Sequence, residues 1–168
     1  MTLALSMGRR GMGRTWPNPS VGCVVVKDNQ IVGAGTTADG GRPHAEVVAL
    51  SQAGAKAHGA TAYVTLEPCV HTGKSPPCTE ALIKSGVARV VAAVGDPDPR
   101  VNGKGFRALK AAGVEVVTGV MAGQAACDHR GYFLKNSRYR PFLTLKIATS
   151  FDGRTATASG QSKWITDA

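Results

Sequence analysis

The pattern of apolar and polar positions divides the chain into short strands and amphipathic helices. Continuous β-branched apolar runs predict buried strands, whereas apolar residues that recur every three or four positions predict helices packed against them. The predicted strands cover residues 21–26, 31–36, 61–66, 88–94 and 114–118. The predicted helices cover residues 3–12, 44–55, 78–85, 103–112 and 124–135.

The order of these elements predicts an α/β fold. A polar turn at residues 27–30 joins the first two strands, so they should form an antiparallel hairpin. From residue 61 onward strands alternate with helices, which favours parallel strands joined by crossover helices. We therefore expect a three-layer α/β/α domain with a mixed five-stranded sheet over residues 1–138. A strand-like run at 142–148 follows Pro141, so residues 139–168 are expected to begin a second domain.

Composition narrows the class of protein. Apolar residues make up 43% of the 168 residues, which excludes a disordered tail, and 21 glycines suit an α/β domain with many tight turns. The first residues do not resemble a signal peptide, and no apolar run is long enough to span a membrane. These features predict a cytoplasmic protein without a membrane partner, in which cysteines serve as ligands or core residues rather than as disulfides.

The formal net charge of +9 raises the question of nucleic-acid binding. The basic residues are scattered, and aromatic residues, at 5%, are too few for an obvious base-stacking surface. Seven of the 20 basic residues follow residue 128, so much of the excess lies in the segment assigned to the second domain. We therefore expect a small anionic substrate and no nucleic-acid partner.

Three residues have the types and positions of a zinc ligand set. His44 stands at the start of a predicted helix, Cys69 follows the third strand, and Cys78 opens the next helix. One histidine and two cysteines leave the fourth tetrahedral position for water, which favours catalysis over a structural role. Zinc would lower the pKa of that water toward ~7. Glu46, two residues after His44, could then take its proton and pass it to a leaving amine.

These residues are informative together rather than singly. A histidine two residues from a glutamate, or one cysteine at a helix start, occurs often by chance, whereas the full set resembles the zinc deaminase signature of His-x-Glu followed by Pro-Cys and a second cysteine. The other candidates favour ordinary roles. Cys23 lies in an apolar strand and should be a core residue. His58 should be a solvated loop residue, and Cys127 and His129 should pack on a helix or lie on its surface.

The chain resembles the deaminase half of the bifunctional riboflavin-biosynthesis deaminase/reductase family. That family combines a diaminohydroxyphosphoribosylaminopyrimidine deaminase with a 5-amino-6-(5-phosphoribosylamino)uracil reductase. The resemblance runs from about residue 3 to the end of the chain, and it implies a cytidine-deaminase-like fold for the α/β/α domain. The matching stretches are TWPNPSVG at 15–22, PHAE at 43–46, AYVTLEPC at 62–69, VHTGKSPPC at 70–78 and GDPDP at 95–99.

The resemblance also implies substrate-binding residues. Eight residues separate the two cysteines, whereas nucleoside and tRNA deaminases typically have two between them. In the resembling family this longer loop contacts the ribose phosphate. Here Lys74 would supply charge and Ser75 a hydroxyl group, while His71 would touch the substrate beside the metal and Asn18 would bind it in the pocket. The loop departs from the family at position 70, where Val replaces a small polar residue, and at position 75, where Ser replaces Thr.

The implied reaction is hydrolytic deamination of 2,5-diamino-6-ribosylamino-4(3H)-pyrimidinone 5′-phosphate to the aminouracil phosphate. Residues 145–153 and 162–166 resemble the start of the family's reductase, which uses NADPH. By that resemblance Ala148 and Trp164 would lie near NADP, and Ser162 near the substrate of the reductase. We also expect a homo-oligomer.

Two other functions are compatible with the same motifs. One is a deaminase that acts on bases in nucleosides or nucleic acids, which the net positive charge favours and the long cysteine spacing opposes. The other is a non-catalytic zinc-binding module, which the free fourth ligand position opposes.

Overall fold

Five strands form one mixed sheet in a computed structural model that describes residues 1–73 and 75–162. The strands are β1 Gly22–Lys27, β2 Gln30–Thr36, β3 Thr61–Val64, β4 Arg89–Ala92 and β5 Glu115–Thr118. Their order across the sheet is β2-β1-β3-β4-β5. Strand β1 is antiparallel to β2 and β3, and β3, β4 and β5 are parallel. The predicted mixed five-stranded sheet is therefore confirmed.

The turn between β1 and β2 has the backbone that a tight hairpin requires. Its two central residues, Asp28 and Asn29, have φ angles of 48° and 60°. Positive φ at both positions is typical of a type I′ turn, whose twist matches that of the flanking strands, and Asp and Asn tolerate it better than most residues. Lys27 then pairs directly with Gln30, as the sequence predicts.

Helices cover both faces of the sheet. They are α1 Thr2–Arg10, α2 Ala45–Ala53, α3 Cys78–Lys84, α4 Lys104–Ala111, α5 Ala122–Asp128 and α6 Arg130–Arg138. Helices α2, α3 and α4 contact one another in succession on one face, and α1 contacts α5 on the other. The main apolar core lies between the sheet and α2–α4, and a smaller cluster joins α1, α5 and the end of β4.

Glycines let helix α2 lie very close to strand β2. A Cβ atom on Gly33 would lie 2.1 Å from the carbonyl oxygen of Ala49, and one on Gly35 would lie 2.4 Å from that of Ala45. Neither distance leaves room for a side chain. The close packing fixes the start of α2 against the sheet, and this is where His44 and Glu46 lie.

Two predictions about the C-terminal part of the chain are wrong. The expected helix over 124–135 is two helices, α5 and α6, which meet at His129 with φ −90° and ψ 5°. The chain turns there because the His129 side chain points inward to the Thr65 hydroxyl on the sheet. Residues 142–148 form no strand, because they pair with no strand among the described residues, and Leu143 and Leu145 are both 82% exposed.

No helix in the described part of the chain is long and apolar enough to cross a membrane. The division into domains at residue 138 stays a prediction.

Candidate metal centre and substrate pocket

His44 is placed by the end of the loop that leads from β2 into α2. It is the residue before the first helical residue and has an extended backbone, with φ −70° and ψ 157°. A short 3-10 helix at Asp39–Gly41 precedes it. Glu46 follows in the first turn of α2, and its side chain is buried. The two side chains therefore enter one pocket from the same helix start.

Cys69 and Cys78 face each other across the base of a loop. Cys78 is the first residue of α3, and its backbone N–H donates to Cys69 Sγ at 3.3 Å. Thr79 closes the loop further, because its backbone N–H and its hydroxyl both donate to the Cys69 carbonyl oxygen at 3.2 Å. The two thiols are thus held together although eight residues separate them.

His44, Cys69 and Cys78 form one cluster of potential metal ligands. His44 Nδ1 lies 3.3 Å from Cys78 Sγ and 3.7 Å from Cys69 Sγ, and all three ligand atoms lie within 4.8 Å of one another. Ligand atoms of a tetrahedral zinc site with nitrogen and sulfur ligands are about 3.6 Å apart, from the usual bond lengths. The spacing and the donor types therefore fit zinc.

The cluster favours a thiolate at Cys69. The pKa of Cys69 lies well below its usual value, chiefly because the Cys78 side chain donates to this sulfur; the His44 side chain and the Cys78 backbone N–H also lower it. The hydrogen bond with Cys69 also raises the pKa of the His44 imidazole. Such charge-assisted contacts stabilise the deprotonated sulfur that a metal requires.

Glu46 is a buried carboxyl group beside these ligands. Burial, as the main cause, and the charge of the nearby Cys69 thiolate together raise its pKa to about 7. A carboxyl group with a pKa near neutral can both accept and donate a proton at physiological pH, which is what general acid–base catalysis needs.

Two of the predicted substrate-binding residues line the same pocket, and a third contacts a residue that lines it. Asn18 lines it, and its Nδ2 atom lies 2.8 Å from the carbonyl oxygen of Gly41, to which it donates, and 3.3 Å from His44 Nε2. His71 also lines the pocket. Ser75 accepts a hydrogen bond from Arg42, which is a pocket residue. Lys74 lies outside the described residues.

Glu67, between β3 and Cys69, is a structural anchor that the sequence analysis missed. Its side chain is buried and accepts four backbone N–H groups. Oε2 accepts from Asp96 at 3.2 Å and Gly103 at 2.9 Å, and Oε1 accepts from Gly105 at 2.9 Å and Phe106 at 3.3 Å. This carboxylate fixes the loop at 96–103 and the start of α4. The only sequence signal is its place in the Glu-Pro-Cys motif.

The loop held by Glu67 supplies an acidic wall of the pocket. Asp96 is buried and lines the pocket, and the Tyr132 hydroxyl lies 3.0 and 3.2 Å from its two oxygens. Burial raises the pKa of Asp96 to about 6. Asp98 is paired with Arg100 through three side-chain hydrogen bonds, which hold its pKa below the usual value. The pocket can therefore offer acceptors to ring and amino N–H groups.

None of the remaining singled-out residues that the structure describes belongs to the ligand cluster. Cys23 is fully buried in the core, and burial raises the pKa of its thiol. His129 is buried against the sheet and Cys127 is exposed. Ala148 and Ser162 are exposed and do not line the pocket, and Trp164 lies outside the described residues.

Comparison with known proteins identifies related chains. The profile of the family described as cytidine and deoxycytidylate deaminase zinc-binding region matches residues 1–94. The riboflavin biosynthesis protein RibD of Aquifex aeolicus is 53% identical over 166 residues, which are 99% of this chain and 47% of that protein.

Two solved structures are also similar. RibD of Acinetobacter baumannii is 54% identical, with a TM-score of 0.88 and coverage of 99% of this chain and 47% of the solved one. A diaminohydroxyphosphoribosylaminopyrimidine deaminase/5-amino-6-(5-phosphoribosylamino)uracil reductase from Thermotoga maritima is 42% identical, with a TM-score of 0.93 and coverage of 99% and 48%. The chain spans about half the length of these relatives.

Proposed function

The chain belongs to the cytidine and deoxycytidylate deaminase zinc-binding family, in its riboflavin-biosynthesis branch, and we propose that it deaminates a phosphorylated diaminopyrimidinone by hydrolysis. The substrate proposed is 2,5-diamino-6-ribosylamino-4(3H)-pyrimidinone 5′-phosphate. The observation that carries the proposal is the buried Glu46 carboxyl group beside a zinc-compatible cluster of one histidine and two cysteines.

In this proposal the three ligands have distinct roles. His44, Cys69 and Cys78 hold Zn²⁺, which when bound lowers the pKa of a water toward ~7 and so makes a nucleophile available at neutral pH. The N–H of Cys78 stabilises the charge on the Cys69 sulfur. Asn18 Nδ2 lies 3.3 Å from His44 Nε2, the ring nitrogen opposite the thiols, so Asn18 borders the ligand cluster on the pocket side.

Glu46 moves the proton. It takes one proton from the attacking water and delivers it to the departing 2-amino group, and the second water proton moves to the adjacent ring nitrogen. The C–N bond then breaks, ammonia leaves and the ring carbon gains a carbonyl oxygen. Its burial supports this role, because burial raises the pKa of Glu46 to about 7 and lets the group exist in both protonation states during turnover.

Recognition of the substrate is divided between the pocket walls. Asp96 can accept hydrogen bonds from N–H groups of the pyrimidinone, since its carboxylate is buried and faces the pocket. The loop between the two cysteines, with His71, Lys74 and Ser75, is proposed to contact the ribose phosphate. A reductase domain that begins at residue 139, with Ala148, Ser162 and Trp164 near NADP or substrate, stays a prediction. So do a homo-oligomer and a cytoplasmic location.

A panel of substrates tests the proposed reaction. The zinc-loaded chain is incubated with the pyrimidinone phosphate, cytidine, deoxycytidylate and guanine, and mass spectrometry detects replacement of an amino group by oxygen. We expect turnover of the pyrimidinone phosphate and little of the others. Preferred turnover of cytidine, deoxycytidylate or guanine would instead favour a base deaminase, and no turnover at all would favour a zinc-binding module.

The variant Glu46→Ala provides the control for catalysis. It should keep one zinc per chain and lose nearly all turnover, because the ligands are intact and the proton carrier is gone. Zinc content by metal analysis separates this result from a collapse of the site.

A further inference from the structure

Arg42 is a cationic residue of the pocket that the motifs do not include. It precedes His44 by two residues, lines the same pocket and is half-buried. Its Nη1 atom donates to the Ser75 hydroxyl. Its Nη2 atom lies 3.3 Å from where a Cβ on Gly73 would stand. The guanidinium group therefore lies directly against the loop between the two cysteines, on the side of the metal ligands.

The charge of Arg42 is not neutralised by the surrounding side chains. Within residues 1–73 and 75–162, five ion pairs involve Arg9, Arg14, Lys84, Arg89 and Arg100, and none involves Arg42. A half-buried guanidinium without a carboxylate partner has N–H groups available to an anion. Arginine has five N–H donors in a planar fork, and Ser75 uses one of them.

A second group in the pocket also lacks a partner. The Nδ1 atom of His71 is buried and has no hydrogen-bond partner among the described residues. Buried polar atoms are nearly always hydrogen-bonded, so an unpaired one that lines a pocket points to a ligand. Arg42 and His71 both belong to the pocket that contains the metal ligands.

We propose that Arg42 is a specificity-determining residue that binds the phosphate group of the substrate, with Ser75 orienting its guanidinium. This inference rests on the proposed function, because that function supplies the phosphate. The planar fork of arginine matches two phosphate oxygens, and such bidentate contacts are among the strongest hydrogen bonds in proteins. The contact would place the phosphate over the cysteine loop and the pyrimidinone ring toward Glu46.

Steady-state kinetics with the zinc-loaded chain tests the proposal. Arg42→Gln removes the charge, Arg42→Lys keeps the charge without the fork, and Lys110→Gln removes one exposed charge outside the pocket. For the phosphorylated pyrimidinone we expect Arg42→Gln to raise KM by roughly 10- to 100-fold with a small change in kcat, from the strength of charged hydrogen bonds. Arg42→Lys should be intermediate, and Lys110→Gln should match the wild type.

Three further measurements separate this proposal from a structural role and from the proposed function. Activity on the dephosphorylated compound should be equal in Arg42→Gln and wild type, and zinc content should not change. An equal loss on both compounds would overturn the proposal, because it would mean that Arg42 only supports the loop.

Binding of ribose 5-phosphate, followed by NMR, should weaken in Arg42→Gln whether or not the wild type deaminates the pyrimidinone. Unchanged binding in that variant would refute the phosphate contact itself.

Discussion

Replacement of Glu67 by glutamine should destabilise the protein strongly, although the two side chains have the same shape. The carboxylate accepts two N–H groups on each oxygen. Glutamine keeps one oxygen and presents an NH2 group to the other two donors, which leaves one buried and one half-buried N–H group unsatisfied. An unsatisfied buried donor costs about 1–3 kcal/mol, so we expect a loss of about 3 kcal/mol in the free energy of unfolding.

Urea unfolding of the zinc-loaded chain, followed by circular dichroism, measures this loss. Glu80→Gln is a matched control, because Glu80 forms an exposed ion pair with Lys84 on helix α3. Its loss should be under about 1 kcal/mol. If Glu67→Gln falls within the range of this control, the four hydrogen bonds do not anchor the loop as described. The variant should also raise KM for the substrate, because Asp96 lies on the loop that Glu67 holds.

Three further predictions concern metal, pH and packing. Removal of zinc by a chelator should abolish turnover and lower Tm, and adding zinc should restore the turnover and the original Tm. Activity that survives complete removal of the metal would exclude a catalytic metal. Burial lowers the pKa of His129 to about 4, from a usual value of 6.5. As the pH falls, the unfolded chain therefore binds a proton at this residue before the folded chain does. The free energy of unfolding should decrease by about 3 kcal/mol between about pH 6.5 and pH 4. His129→Gln should flatten this slope in unfolding experiments across that range, and an unchanged slope would assign it to other groups. Gly35→Ala should lower both Tm and zinc affinity, because its Cβ would meet the carbonyl of Ala45 at the start of α2. Gly123→Ala on helix α5, with open space around it, should lower neither.

The three zinc ligands could be predicted from the sequence because each one stands next to the start of a helix or the end of a strand. His44 and Cys78 each stand at a helix start, and Cys69 follows a strand, so the periodicity of the neighbouring residues places all three. The hairpin was accessible for the same reason, since Asp28 and Asn29 are turn residues between two apolar runs. Signals of this kind need no knowledge of distant parts of the chain.

Other features depend on contacts between distant parts of the chain. Glu67 bonds to N–H groups 29 to 39 residues later, and nothing near it in the sequence indicates that. His129 ends a helix because its ring reaches the Thr65 hydroxyl, 64 residues earlier. The apolar run at 142–148 has the composition of a strand, yet strands form only where a neighbour offers hydrogen bonds.

The positions of Glu67 and of the metal ligands set an order for assembly during synthesis. The ligand set is complete once residue 78 has been made. The three strands that precede this residue in the chain can pair by then, because β1 pairs with both β2 and β3. The donors that satisfy Glu67 are made only with residues 96–106. A growing chain therefore holds every zinc ligand while Glu67, two residues from Cys69, is still unpaired. The metal centre can form first on the ribosome, and the acidic wall of the pocket can close only after helix α4 begins.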